Sequence, residues 1–153
     1  MGKQFEIVFE KSGVIVVADL LEELAPITCE NFWDSIATPH TEELYHGGET
    51  GPEIWCYVPP PKEELPYENS TVFPEHGDIL YYHYRQPPTR DGQMVYDIGI
   101  YWDRGASKLK QGWIPGNLFA RISGPEQIRL LRAEAGRLLT EGAGKVTLRR
   151  KES

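Results

Sequence analysis

Between residues 44 and 122 the apolar side chains come in four short runs, EIWCYV, GDILYYHY, MVYDIGIYW and GNLFARI, broken by glycine and proline. Runs of this length, rich in β-branched and aromatic residues, suit strands better than helices. Strands punctuated in this way predict a closed barrel or a sandwich, not a βαβ array. The N-terminal segment agrees. Phe5, Ile7 and Phe9 alternate with Glu6, Val8 and Glu10, Lys11-Ser12-Gly13 supplies a turn, and the run 14–17 reads as a second strand buried on both faces. KVTLRR, near the C-terminus, reads as a last strand.

Two segments carry helical signals. In TCENFWDSI, Thr28 is placed to cap a helix over 28–38, with Phe32 and Trp33 as a plug for one end of a β-layer. In GPEQIRLLRAEAGRLLTEG, Pro125 suits a first turn and Glu126 the positive end of a helix over 125–140. Ile128, Leu131, Ala135, Leu138 and Leu139 form its apolar stripe, and Gly142 stops it. Phe32, Ile79, Ile100, Phe119 and Leu131 are the expected core contacts.

The 153 residues suit one domain, 1–153, with a core large enough to need neither disulfide nor metal. Sixteen basic against 23 acidic side chains give a net charge of −7, which disfavours nucleic acid and anionic membrane as partners. The basic tail KVTLRRKES reads as a solvated end. Cys29 and Cys56 sit in apolar segments without metal or redox spacing, as small core residues in a reducing compartment do. The N-terminal alternation is neither a signal peptide nor a membrane span, so a cytoplasmic protein is expected.

The segment LLEELAPITCENFWDSI resembles the cyclophilin pattern A-P-x-T-x-x-N-F, filled here by Ala25, Pro26, Thr28, Asn31 and Phe32. GWIPGNLFARI is similar to the family's W-L-x-G turn and following strand, through Trp113, Ile114, Gly116, Phe119, Ala120 and Ile122. The resemblance implies a mostly β fold, a closed and largely antiparallel cyclophilin-like barrel of about eight strands capped by two α-helices. The whole pattern is similar to small prokaryotic cyclophilin-like proteins of unknown function. It departs from the isomerases: no arginine lies between Phe32 and Cys56, and His46 precedes the Gly-Gly pair where they carry glutamine. Weakening a prolyl amide requires a fixed cation, so isomerase activity is not expected.

The segment ELYHGGETGPEIWCYVPPP, residues 43–61, admits several readings. It suits a tight corner in which Gly47 and Gly48 take positive φ and Pro52 stiffens the approach to a strand over 53–58. A metal reading recruits His46, Glu49 and Glu53 with His83 from a neighbouring strand, although no helix holds His46 and Glu49 on one face. A phosphate nest lacks a nearby cation. A ligand reading keeps the corner and adds an aromatic face of Trp55, Tyr81, Tyr101 and Trp113, with His46, Glu53 and His83 as its polar groups; the cyclophilin resemblance places the strand 79–84 and Trp113 beside the family's binding face. The expectation is a protein that binds a small molecule or peptide there and carries no cofactor. The alternative is an enzyme for a small amide or carboxylate, with Glu53 or His46 as general base and His83 as partner. The abundance of aromatic residues also points to a homo-oligomer.

Overall fold

The computed structural model describes residues 2–84 and 91–152. Chain order is β1 (Gln4–Phe9), β2 (Val14–Leu20), α1 (Pro26–Ser35), β3 (His40–His46), β4 (Glu53–Tyr57), β5 (Ser70–Thr71), β6 (Asp78–His83), β7 (Tyr96–Tyr101), β8 (Lys108–Leu109), β9 (Gly112–Trp113), β10 (Gly116–Arg121), α2 (Pro125–Glu141) and β11 (Gly144–Arg150). Eight strands lie in the order β2-β1-β11-β3-β4-β7-β6-β10, and β10 pairs back onto β2 to close an antiparallel barrel. The short β5 joins β10 outside this ring, and β8 and β9 form a separate hairpin. Among the described residues neither helix is long and apolar enough to cross a membrane.

Alternation builds the interior. Phe5, Ile7 and Phe9 from β1, Ile54 and Cys56 from β4, Ile98 and Ile100 from β7, and Val146 and Leu148 from β11 all point inward and are buried. Each large side chain removed from water contributes roughly 1.5–3 kcal/mol before the entropy of ordering is counted. From α1, Phe32 enters the barrel with its ring centroid 4.8 Å from Phe5 and 4.9 Å from Phe119. The five expected core residues, Phe32, Ile79, Ile100, Phe119 and Leu131, are all fully inaccessible.

Several local expectations are corrected. Helix α1 begins at Pro26 with Ala25 as its cap residue, because proline is preset for the first turn. Thr28 lies inside that turn, where its N–H donates to Glu68 Oε1 at 2.5 Å, so a carboxylate from a distant loop serves as the cap. Strand β2 is not buried on both faces: it alternates, and Ile15 is exposed, because only its inner face meets the barrel core. At the 47–52 corner the positive φ falls on Gly51 and not on Gly47 or Gly48. On α2, Leu131 and Ala135 are buried with Glu134, while Leu139 is 60% exposed. The helix docks with its inner face rotated away from the end of the apolar stripe.

The outer face of the barrel is not uniformly solvated. Leu80, Tyr82 and Tyr101 point outward yet are buried, packed with Tyr84, Ile114 and Leu118. The chain from 105 to 115, which carries the β8–β9 hairpin, folds over them and makes a second small core. It is held by Ser107 N–H on Val72 O at 2.8 Å and Ile114 N–H on Ser107 O at 2.9 Å.

Candidate functional site

The sheet register aligns Glu53 with Tyr101, Trp55 with Gly99, and Tyr57 with Asp97 across β4 and β7. Asp97 in turn lies opposite Tyr82 on β6. These side chains share the outer face, and at its centre Gly99 has none. On this face lies a cavity of about 200 Å³ lined by Glu53, Trp55, Tyr57, Tyr82, Tyr84 and Asp97, and closed on one side by Ser107, Leu109 and Ile114.

Glycine is required here for space. A methyl group at Gly99 would lie 2.0 Å from Glu53 Oε2, and one at Gly47 would lie 2.4 Å from Thr50 Oγ1 and 3.0 Å from Glu53 Oε1. The Glu53 carboxyl therefore occupies room that two glycines leave open. It is 5% exposed and accepts a hydrogen bond from Thr50 Oγ1 at 2.6 Å. Burial pushes its pKa up to about 7, against the lowering effect of the hydrogen bond from Thr50 and of the neighbouring Tyr101. Asp97, 6% exposed, is also raised to about 7, first by burial and further by the charge of Glu53; its bond from Tyr84 OH, 3.0 Å long, opposes this.

A chain of hydroxyls runs behind Glu53. Ser107 Oγ donates to the Ile114 carbonyl at 2.5 Å, so it accepts from Tyr82 OH at 2.7 Å, and Tyr82 accepts from Tyr101 OH at 2.8 Å. The Tyr101 proton is thereby committed to Tyr82. Among the described residues no lysine or arginine lines the cavity.

Of the residues singled out from sequence, Glu53 and Trp55 line this cavity and Tyr101 stands behind it. Tyr81 and His83 alternate to the inside: Tyr81 packs edge-on to Phe119 at 5.8 Å, and His83 lies 4.8 Å from Tyr67. Trp113 is exposed on β9 against Phe73. His46 faces inward beside Trp102, with Nδ1 2.6 Å from Gly47 O, and Glu49 is exposed. His46 pairs with Ile54, Ile54 with Ile100, and Ile100 with Ile79. His83 is four residues further along β6, about 13 Å towards the other end of the barrel. His46, Glu53 and His83 thus do not converge, and among the described residues no group of three acidic, histidine or cysteine side chains is placed to hold a metal.

Sequence reasoning missed Asp97, Tyr82, Tyr84, Thr50, Ser107 and Gly99. One signal was present: in YDIGIY an acid, a glycine and a tyrosine share one parity inside an apolar strand. A second cavity of about 250 Å³ lies between Phe9, Leu44 and Leu138, but its buried acid, Glu134, is already engaged by Ser12 at 2.6 Å and Arg137 at 3.0 Å. Cys29 is buried with its thiol pushed up to about 12, chiefly by desolvation, and is not a nucleophile.

No curated protein matches the sequence. Six chains of solved structures match, among them the structure of McbB in complex with tryptophan, with a TM-score of 0.72 at 18% identity. That match covers 97% of this chain but 45% of McbB, so the chain spans less than half of that protein, and the likeness is one of fold. A family model described as DUF3830, protein of unknown function, matches residues 7–150, and the chain belongs to that family.

Proposed function

We propose that the outer-face cavity binds a small molecule through a cationic amine, making this a ligand-binding protein built on a cyclophilin-like barrel. The observation that carries the reading is a pair of buried carboxyls, Glu53 and Asp97, beside aromatic rings in a concave site with no cation among its lining residues. Leaving such groups in a cavity costs stability unless a ligand repays it, and an ammonium group offers both charge and hydrogen-bond donors. That a protein of similar fold is seen with tryptophan, which carries an amine and an aromatic ring, supports the same class of ligand. The enzyme reading that joined His46, Glu53 and His83 has no convergent geometry behind it.

Calorimetry with n-butylamine and butyrate at pH 8 tests the proposal. Butylamine is expected to bind and butyrate not to. Losing a hydrogen bond to a charged group costs about 1.5–3 kcal/mol, so Glu53→Gln should weaken butylamine about tenfold to a hundredfold. Equal binding of butyrate, or an unchanged affinity in Glu53→Gln, refutes the reading.

A further inference from the structure

The cavity continues into an aromatic surface that its small volume does not require. On the solvent side of β3 and β4, Tyr45 stacks on Trp55 at 4.6 Å, Trp55 meets Tyr57 edge-to-face at 5.2 Å, and Tyr45 and Tyr57 are 6.3 Å apart. Trp55 and Tyr57 also line the cavity. Tyr45 and Tyr57 remain 40% and 36% exposed, so three touching rings run from the Glu53 carboxyl out to water. Contiguous exposed aromatic surface beside a concave site marks a place where something apolar packs.

The arrangement leaves one flank of the indole for a ligand. Tyr45 covers the β3 side of Trp55, whereas on the β7 side its cross-strand partner is Gly99, which contributes no side chain. The space above Gly99 is taken by the Glu53 carboxyl and the edge of the Tyr82 ring, and the cavity that Trp55 lines opens beside them. A ring entering from the mouth would meet Trp55 and Tyr57 at stacking or edge distances, and an amine one short chain further in would meet the carboxyls.

Resting on the amine reading above, we infer that the ligand is an arylalkylamine, whose ring seats against Trp55 and Tyr57 while its ammonium group lies at Glu53. Trp55 and Tyr57 are then the specificity-determining residues for the aromatic part. Aromatic pairs add about 0.5–1.5 kcal/mol beyond simple area burial, so an aromatic ring should be preferred over a saturated one of similar size by roughly threefold to tenfold.

The full-length protein is titrated at pH 8 with 2-phenylethylamine, 2-cyclohexylethylamine and phenylacetate, following tryptophan fluorescence and heat. The expected result is that phenylethylamine binds at least threefold tighter than its cyclohexyl analogue and that phenylacetate does not bind. Trp55→Leu should bring the phenyl-to-cyclohexyl ratio to about one; if that variant does not fold by circular dichroism, Tyr57→Leu should at least halve the ratio. Equal affinity for the two amines in the wild-type protein overturns the aromatic seat and leaves the amine reading standing. Phenylacetate binding as tightly as phenylethylamine, or neither amine binding, overturns the amine reading and this inference with it.

Discussion

Glu53 ties the site to stability through its proton. In the unfolded chain its carboxyl titrates near 4.5, and in the folded protein near 7, with burial as the main cause. Between those values the folded state binds more protons than the unfolded state, so this residue's contribution to stability falls as pH rises through the window and is fully lost above it. Each pKa unit corresponds to 1.36 kcal/mol, which makes the loss roughly 2–3 kcal/mol between pH 5 and pH 8. Urea denaturation at the two values is therefore expected to show Glu53→Gln gaining that much on the wild-type protein at pH 8 relative to pH 5. A constant difference would mean that Glu53 is ionised throughout. The same titration governs binding: amine affinity should rise with pH through about 7, as the carboxyl gives up its proton.

Strands and helices differ in how much of themselves they show in sequence. Strand β7 displays its two faces by parity alone, and β1 does the same with Phe5, Ile7 and Phe9. Strand β3, HTEELYH, does not, because its acidic residues resemble a loop. It is a strand because β11 pairs with it from Gly144↔Leu44 to Leu148↔His40, and backbone hydrogen bonds do not depend on apolar side chains. Helix α2 was legible in extent, from Pro125 to the Gly142 cap, but not in orientation. Chemical denaturation separates the two: Leu131→Ala, at a fully buried position, should cost about 2–5 kcal/mol, whereas Leu139→Ala, at an exposed one, should stay within about 0.5 kcal/mol. Comparable losses at both sites would restore the apolar stripe as the docking face.

At the level of the whole molecule, closure of the barrel rests on a narrow seam. β10 and β2 share only the pairs Ala120↔Leu20 and Arg121↔Asp19, reinforced by Leu21 N–H on Phe119 O at 2.7 Å, whereas β1 pairs with β11 from Phe5↔Arg150 to Phe9↔Val146. Local opening follows the least paired backbone, so the amide of Leu21, which donates across the seam, should exchange with solvent sooner than those of Ile7 and Leu148 in native-state hydrogen exchange. The reverse order would place the weak point elsewhere. The sequence by itself determined that this is a β-rich chain with two helices, and it identified core residues such as Phe32, Ile100 and Phe119, because alternation, proline starts and glycine stops are written within a few residues. Only the tertiary structure decided which face of the tyrosine-rich strand β6 became the inside. A period of two distinguishes Tyr81 from Tyr82 without saying which is enclosed, and that choice buried Tyr81 and His83 in the barrel while turning Tyr82, Asp97 and Gly99 towards the site. The cavity also needed the 105–115 segment to fold over the outer face and Gly99 to fall beside Trp55, and both follow from pairings between residues far apart in the chain.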